Sequence, residues 1–165
     1  CPVPKENLVG ELNHGLPLFM KGLDEGRIAI SACSVGMAQG ATERAVRYAK
    51  NRMAFGRPIT DFQGVSFQLA EMEMEVNVAR TMLYNVAKLA DAKLPFSKEA
   101  AMLKLYASEM CDRVCWKAIQ VMGGNGISEE YEVERFYRDN KLNTIGEGTS
   151  EINKLVISRH LLNEY

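Results

Sequence analysis

The chain has 165 residues and is 47% hydrophobic, so it is long enough to bury one core and short enough to form a single domain. Twenty lysines and arginines nearly balance twenty-one aspartates and glutamates, and the net charge of −1 favours neither nucleic acid nor an anionic membrane as a partner. The apolar runs are short and interrupted, which predicts no membrane-spanning segment and no signal peptide. The first residue is Cys1 rather than Met, which suggests a piece of a longer protein.

The cysteines and histidines do not form a disulfide or metal-binding pattern. Cys111 and Cys115 are four residues apart in a helical region, where disulfide geometry is poor, and no CxxC spacing occurs. His14 and His160 lie at opposite ends of the chain without ligand-spaced partners, so we expect no histidine-based metal site. The four cysteines are predicted to be reduced thiols in the core.

The first predicted elements, in chain order, are a loop and a helix. Residues 1–14 combine prolines, glycines and an asparagine, and they predict a loop with a short strand around Leu8 and Val9. A helical pattern begins at Gly15. The first helix is rich in small residues that permit close packing, and the residues that mark it are Ile28, Ala32, Val35, Ala38, Ala41, Ala45 and Tyr48.

Two longer apolar stripes follow, with alternating steps of three and four residues that are typical of helices in a bundle. The stripes are Val65, Leu69, Met72, Val76, Ala79, Leu83, Val86 and Ala90, and then Leu103, Ala107, Met110, Val114, Ala118 and Val121. Helix breakers occur at Gly56, at Pro95 and at residues 123–126, and further helices are expected near residues 130–138 and from about Thr149. The sequence therefore predicts an all-α fold, an antiparallel bundle of three long helices plus a short and a C-terminal helix.

Three polar or glycine-rich stretches lie at the ends of predicted helices, where functional residues concentrate. In LDEGRIAI, residues 23–30, Asp24 and Arg27 stand one helical turn apart, which is also a common spacing for surface ion pairs. In NRMAFGRPI, residues 51–59, Arg52 is followed by a second arginine beyond an aromatic residue. Guanidinium groups so placed can hold a phosphate, and a solvated basic helix end would have the same sequence.

The third stretch, QVMGGNGI at residues 120–127, contains three glycines directly after a predicted helix. Without side chains there, a flat or anionic ligand can reach the backbone. The same glycines would also suit an ordinary helix C-cap and turn, and the residues alone leave both interpretations open.

Glu147 lies between two glycines in IGEGTSEI, residues 145–152, just before a predicted helix. The glycines let the backbone approach a ligand, so the Glu147 N–H can donate to a substrate oxygen while the carboxylate removes a proton from carbon. The neighbouring helix N-terminus favours the anion. The alternative, which the spacing alone leaves open, is an ordinary acidic residue placed before a helix.

These stretches, in this order and at these separations, resemble the C-terminal half of the acyl-CoA dehydrogenases. The resemblance covers nearly the whole chain. VPKENLVGE is similar to the exit from the family's middle β-domain, so residues 1–14 are expected to be that exit segment. Residues 15–165 are similar to the family's C-terminal helical domain.

The resemblance implies a flavoprotein that converts an acyl-CoA thioester to trans-2-enoyl-CoA. Glu147 matches the family's catalytic base, which takes the α-proton while the β-hydrogen leaves as a hydride to FAD. Asp24, Arg27 and Gly148 match positions that line the substrate. A branched-chain subgroup places its base just before the arginine that Arg27 matches; that position is Gly26 here, which favours Glu147 over the nearby Glu25.

The resemblance also implies how FAD is held. Arg52 matches an arginine that reaches the FAD pyrophosphate across a subunit interface, which implies a homodimer or a homotetramer. The other positions that match cofactor contacts are Phe55 and Gln63 near this arginine, Gln120, Gly123 and Gly124 beside the adenosine part, and Thr149 and Glu151 just after the base.

The remaining implications concern the whole protein. The family's N-terminal helical domain and most of its β-domain have no counterpart here, so we expect the 165 residues to be inactive alone. The implied electron acceptor is electron-transferring flavoprotein, and the implied location is intracellular, in the mitochondrial matrix or the bacterial cytoplasm. Two alternatives stay open, an acyl-CoA oxidase relative and a non-catalytic helical module for oligomerisation or binding. A di-iron carboxylate bundle would need Glu-x-x-His motifs, and none occurs.

Overall fold

The structure, a computed structural model, describes residues 1–165 and is built almost entirely from helices. The five α-helices are α1 (Gly15–Asn51), α2 (Gln63–Asp91), α3 (Ser97–Met122), α4 (Val133–Ile145) and α5 (Ser150–Glu164). Short 3-10 helices cover Lys5–Asn7, Ile59–Asp61, Gly123–Ile127 and Glu129–Tyr131. The predicted all-α fold, with three long helices, a short one and a C-terminal one, is confirmed.

The two strands form a small hairpin after α1. β1 (Met53–Ala54) pairs antiparallel with β2 (Arg57–Pro58), and Phe55 and Gly56 between them have φ angles of 50° and 81°. Two consecutive positive φ angles are typical of the tight turns whose twist matches that of the flanking strands. The sequence predicts only a helix break here, because two-residue strands leave no alternating pattern.

The N-terminal segment differs from its prediction. The structure has a 3-10 helix at Lys5–Asn7 and no strand at Leu8 and Val9, where the chain is irregular and exposed. A strand needs a partner for its backbone hydrogen bonds, and none lies beside this segment. A local sequence pattern reports only the preference for an extended chain, so it could not show that the partner is absent.

Side-chain hydrogen bonds fix how the helices are arranged. α1 and α3 run in the same direction, because Ser97 at the start of α3 bonds to Asp24, while Asn125 just beyond α3 bonds to Tyr48. α2 runs antiparallel to both. α4 and α5 follow one another down the bundle and pack on α3 in the opposite direction to it. One end of the bundle therefore holds the starts of α1 and α3, and the other end holds their C-termini.

The predicted apolar stripes face the core, except for Ala32 of α1, which is exposed. In α1, small side chains allow close contact with α3, and Ala38, Ala41, Ala45 and Ala49 are fully buried. The buried members of the α2 and α3 stripes are Met72, Val76, Ala79, Val86, Leu103, Ala107, Met110, Val114, Ala118 and Val121. None of the helices has the length and apolarity that a membrane-spanning segment requires.

The prediction that all four cysteines are core thiols is half correct. Cys111 and Cys115 are buried free thiols with their sulfur atoms 3.7 Å apart, and the hydrogen bond with Cys115 together with burial raises the pKa of Cys111. Cys1 and Cys33 are exposed. Cys33 lies on the outward face of α1, so composition alone gave the wrong environment for it.

A buried polar network joins α1, α3 and α4. The side-chain amide of Asn140 donates to the Ser108 carbonyl at 2.9 Å and to Asp112 Oδ1 at 2.7 Å. Its oxygen accepts from Ser34 Oγ at 3.3 Å and from Asn143 Nδ2 at 3.1 Å. Because the groups satisfy one another inside the bundle, the network fixes the position of α4 and of the turn that follows it.

Candidate active site

Glu147 lies on the turn between α4 and α5, between Gly146 and Gly148. The φ angles of Glu147 and Gly148 are 54° and 94°. A positive φ is uncommon for a residue with a side chain, and it persists only when the surroundings hold it in place. A Cβ added to Gly146 would lie 3.3 Å from both Ile30 Cδ1 and the Leu142 carbonyl oxygen, so the turn packs directly against α1.

The Glu147 side chain points toward α1. Its half-buried carboxylate lies against Gly26, where an added Cβ would be only 2.7 Å from Glu147 Cδ. A residue with any side chain would therefore overlap the carboxylate. The backbone N–H of Glu147 has no acceptor within the protein. Removal of a proton next to a carbonyl requires a base and a hydrogen-bond donor to the carbonyl oxygen. The Glu147 carboxylate and its backbone N–H can supply these two groups, and both remain available to a ligand.

Arg27 is buried beside the same turn. Its Nη1 donates to Asp24 Oδ1 at 2.7 Å, and that oxygen also accepts from Ser97 Oγ at 3.1 Å. Its Nε and Nη2 are buried without a partner. A Cβ added to Gly148 would lie 3.8 Å from Nη2, so this free donor faces the turn that carries Glu147. Buried donors without partners are costly and mark a place where a polar ligand group can bind.

Lys104 and Asn153 hold the turn from the side of α3 and α5. Lys104 Nζ donates to the Gly148 carbonyl oxygen at 2.6 Å, and Asn153 Nδ2 donates to the same oxygen at 2.9 Å. Both side chains are fully buried. Burial, and after it the positive charge of Arg27, lowers the pKa of Lys104 to about 8.

Neither Lys104 nor Asn153 was among the site residues predicted from the sequence. Lys104 occupies the buried stripe of α3, four residues after Ala100 and three before Ala107, and a lysine in such a register is the feature that could have identified it. The sequence gives a weaker signal for Asn153, because a single polar residue in a short helix is common. Its contact with the turn depends on the tertiary structure.

A second group of predicted residues meets at the other end of α1. Arg52, Gln120, Gly123 and Gly124 line one depression of about 320 Å³. Arg52 also borders a wider cleft of about 800 Å³, together with Arg47. The structure therefore brings these four predicted cofactor residues together, although they come from two separate segments of the chain.

Gly123 and Gly124, which line this depression, and Gly126, which follows them in the chain, show whether it suits a cofactor. Gly123 has a φ of 60° where α3 ends, and a Cβ on Gly126 would clash with the backbone of Ile119 at 2.6 Å, so both have structural roles. Gly124 has neither a positive φ nor a neighbour within 4 Å of an added Cβ. The open space before its backbone, with a guanidinium beside it, fits the phosphate and adenosine parts of FAD.

The other predicted cofactor residues lie outside this depression. Phe55 is 95% exposed at the tip of the hairpin, with its ring edge toward Phe62, and Gln63 is exposed at the start of α2. Thr149 caps α5, where its hydroxyl accepts a backbone N–H at 3.3 Å. Glu151 is exposed, and hydrogen bonds from its own backbone N–H and from Thr149 lower its pKa.

The two groups of residues are far apart within one chain. α1 carries Arg27 beside the Glu147 turn and meets Arg52 at its C-terminal end, and this stretch of helix is about 37 Å long at 1.5 Å per residue. A single dinucleotide is too short to contact Arg52 and Glu147 in the same chain.

The chain is thus an all-α bundle with a glutamate on a glycine turn at one end and an arginine–glycine depression at the other. The chain matches the family model described as acyl-CoA dehydrogenase, C-terminal domain, over residues 13–162. It belongs to the acyl-CoA dehydrogenase family, and the resemblance found in the sequence is confirmed.

Individual proteins of the family are similar over nearly all of this chain. Subunit CarC of the caffeyl-CoA reductase-Etf complex from Acetobacterium woodii is 49% identical over 97% of this chain and 42% of its own length. The mitochondrial short-chain specific acyl-CoA dehydrogenase of Rattus norvegicus is 47% identical over 100% of this chain and 40% of its own. The structure of butyryl-CoA dehydrogenase from Megasphaera elsdenii has a TM-score of 0.95 at 42% identity, covering 97% of this chain and 42% of that one. The chain therefore spans about two fifths of the length of the relatives it matches.

Proposed function

We propose that this chain is the C-terminal part of an FAD-dependent acyl-CoA dehydrogenase, in which Glu147 is the catalytic base. The longer protein is called the parent protein below. The observation that carries the proposal is the position of the Glu147 carboxylate, which is half-buried against Gly26 on a turn whose next residue, Gly148, faces a buried, unpaired donor of Arg27. An ordinary acidic residue placed before a helix would have no reason to lie in the space that a helical glycine leaves, next to a turn residue that faces a free guanidinium donor.

In the proposed reaction, the Glu147 carboxylate takes the α-proton of the acyl-CoA thioester. The electrons of the α-carbon–hydrogen bond then form the carbon–carbon double bond as the β-hydrogen leaves with its electron pair. FAD, when bound, supplies the acceptor for that hydride. The products are trans-2-enoyl-CoA and the reduced cofactor, and the proton remains on Glu147.

The α-proton of a thioester is too weakly acidic for a free carboxylate, so the carbonyl oxygen must be stabilised as charge develops on it. The unbonded backbone N–H of Glu147 can donate to that oxygen from the same residue that removes the proton. Arg27 supplies further donors through Nε and Nη2, while Asp24 holds its third nitrogen, Nη1, in a fixed orientation. Asp24, Arg27 and Gly148 are therefore proposed as substrate-binding residues.

FAD is proposed to bind with its pyrophosphate near Arg52 and its adenosine part against the depression formed by Gln120, Gly123 and Gly124. The distance between Arg52 and Glu147 supports sharing of each cofactor between two subunits, with Arg52 contacting the FAD that a second copy uses. We propose a homodimer or a homotetramer on this basis. Phe55, Gln63, Thr149 and Glu151 remain proposed cofactor contacts, and no distance within the single chain supports them.

Mixing two inactive variants of the parent protein tests this sharing. Subunits with Arg52→Ala keep the base, and subunits with Glu147→Gln keep the arginine. If Arg52 serves the neighbouring subunit, mixed oligomers contain a site with both residues intact, and activity returns on refolding the two together. If the mixed oligomers are verified and still show no activity, Arg52 and Glu147 of one subunit would act on the same bound cofactor.

Electron-transferring flavoprotein is proposed as the electron acceptor. The Acetobacterium woodii relative is named as a subunit of a complex with Etf, and this chain is 49% identical to it. Reoxidation of the reduced parent protein distinguishes this proposal from an acyl-CoA oxidase. Fast reoxidation by electron-transferring flavoprotein with slow reoxidation by oxygen supports the dehydrogenase, and the opposite order supports the oxidase.

The catalytic role of Glu147 is tested with Glu147→Gln in the parent protein. The amide is nearly isosteric but cannot accept the proton, so FAD is expected to stay bound and unreduced when acyl-CoA is added without oxygen. The measurement is loss of flavin absorbance with a series of acyl chain lengths. Glu25→Gln is the matched control, because Glu25 is an exposed carboxylate on α1 next to Gly26. The FAD of this variant is expected to be reduced at the normal rate.

Normal flavin reduction by Glu147→Gln would contradict the proposal. If Glu25→Gln were then inactive, the base would be assigned to Glu25 instead. If neither acyl-CoA nor its analogues reduce FAD in the unmodified parent protein, the result would favour a non-catalytic module.

A further inference from the structure

We propose that Lys104 is a positioning residue of this site, and that its hydrogen bond to the Gly148 carbonyl holds the Glu147 carboxylate in its place against Gly26. The inference rests on the proposed function, because it concerns how the same base is oriented. Lys104 does not belong to the group of residues that would touch substrate or cofactor. It acts through the turn.

The hydrogen bond from Lys104 to the turn is short, and it is not part of an ion pair. Lys104 is 0% exposed, and the Gly148 oxygen, at 2.6 Å, is the acceptor for its ammonium group. No carboxylate lies within 4.0 Å of Nζ, so Lys104 makes no ion pair. A buried ammonium without a paired carboxylate is costly, and an apolar side chain would fill the same space without that cost. The interaction with the turn is what the lysine adds at this position.

Two donors from different helices converge on the same oxygen. Lys104 reaches it from α3, and Asn153 reaches it from α5 at 2.9 Å. Together they prevent rotation of the peptide plane between Gly148 and Thr149. The preceding residue is Glu147, whose φ of 54° is a conformation that relaxes unless neighbouring groups hold it.

The direction of the Glu147 side chain depends on this conformation. The carboxylate fits only into the space left by Gly26, so a small rotation of the turn moves it out of contact. Loss of the Lys104 bond is therefore expected to displace the base while leaving the surrounding helices in place, because the core of α3 does not depend on the ammonium group.

Lys104 also contributes a positive charge behind the base. The charged groups that act on it from the packed elements are Arg27 on α1, Glu109 on α3, Glu147 on the turn and Glu151 on α5. With its pKa lowered to about 8, Lys104 is mostly protonated at neutral pH. Removing this charge is expected to move the acidic limb of the rate profile to higher pH, which loss of packing alone would not do.

The test compares Lys104→Met with Lys104→Arg in the parent protein. Methionine keeps the apolar length without the donor or the charge, whereas arginine keeps both. Lys104→Met is expected to lower the rate of flavin reduction about 10- to 100-fold with KM unchanged, because a misplacement of roughly 1 Å is enough for such a loss. Lys104→Arg is expected to restore part of the rate and the position of the acidic limb.

Lys117→Met is the matched control on the same helix. Lys117 pairs with Glu71 and Glu75 on α2 and is remote from the turn, so its loss removes a lysine without touching Glu147. FAD content and melting temperature are measured for every variant. Lys117→Met is expected to reduce flavin at the rate of the unmodified protein.

A folded Lys104→Met protein that reduces flavin normally, beside an inactive Glu147→Gln protein, would overturn this inference and leave the proposed function standing. A normal Glu147→Gln protein would overturn the proposed function itself. If Lys104→Met does not fold, Lys104→Gln replaces it, and failure of both to fold would assign Lys104 a purely structural role.

Discussion

Replacing Gly26 with alanine would place a methyl group where the Glu147 carboxylate lies. The added Cβ would be 2.7 Å from Glu147 Cδ, whereas ordinary contact begins at 3.4 Å. The carboxyl group must therefore move by about 0.7 Å or more, since contacts this short are essentially never occupied. Gly26 lies inside α1, whose backbone is held by its own hydrogen bonds and does not move easily.

The effects on stability and on activity are expected to have opposite signs. Alanine in a helix interior is favoured over glycine by about 0.5–1 kcal/mol, and the overlapping atoms belong to the flexible end of a side chain. Gly26→Ala is therefore expected to keep or slightly raise the melting temperature. Displacement of the base by this distance is expected to lower the rate of flavin reduction about 10- to 100-fold.

The assay is anaerobic reduction of FAD by acyl-CoA in the parent protein, with thermal unfolding measured on the same samples. Gly36→Ala is the matched control, because Gly36 also lies inside α1 and an added Cβ there meets nothing within 4 Å. It is expected to gain the same helix stability without losing activity. Unchanged activity in Gly26→Ala would refute the assigned position of the carboxylate.

Three further predictions concern the cofactor site, the core and the pH dependence of stability. Gly124→Val is expected to weaken FAD binding in the parent protein at least about tenfold by equilibrium titration, without loss of fold, because its side chain enters open space before the backbone. Asn140→Leu is expected to lower the free energy of unfolding by roughly 3 kcal/mol in urea titrations, since it leaves Asn143 and other buried groups without their partner. Folding lowers the pKa of Lys104 from 10.5 to about 8, so the unfolded chain binds more protons between these values and stability rises with pH there. Relative to Lys104→Met, the free energy of unfolding of the unmodified protein is expected to rise by about 1.5 kcal/mol from pH 8 to 9.5, and a constant difference would contradict the lowered pKa.

The fold could be predicted from the sequence where local patterns are strong. The three- and four-residue steps on α2 and α3, and the small residues on α1, identified the long helices and their buried faces. The strand expected at Leu8 and Val9 was wrong, because a strand depends on a partner elsewhere in the chain. The hairpin at residues 53–58 left no pattern long enough to detect.

The candidate site was predicted from short stretches and from their resemblance to one family, and the structure shows how they meet. Arg52, Gln120, Gly123 and Gly124 line a common depression, and Glu147 lies beside Arg27. Phe55 and Gln63 are exposed and line neither cleft, and their proposed contact with FAD stays a prediction.

The sequence by itself determined the class of fold and the chemical groups available, because helix periodicity and residue type are local properties of the chain. Only the tertiary structure decided that Gly26 makes room for the Glu147 carboxylate and that a buried Lys104 holds the turn. These contacts join α1, α3 and the turn before α5, which are distant in the chain. Their geometry depends on how three helices pack, and no spacing within any one of them encodes it.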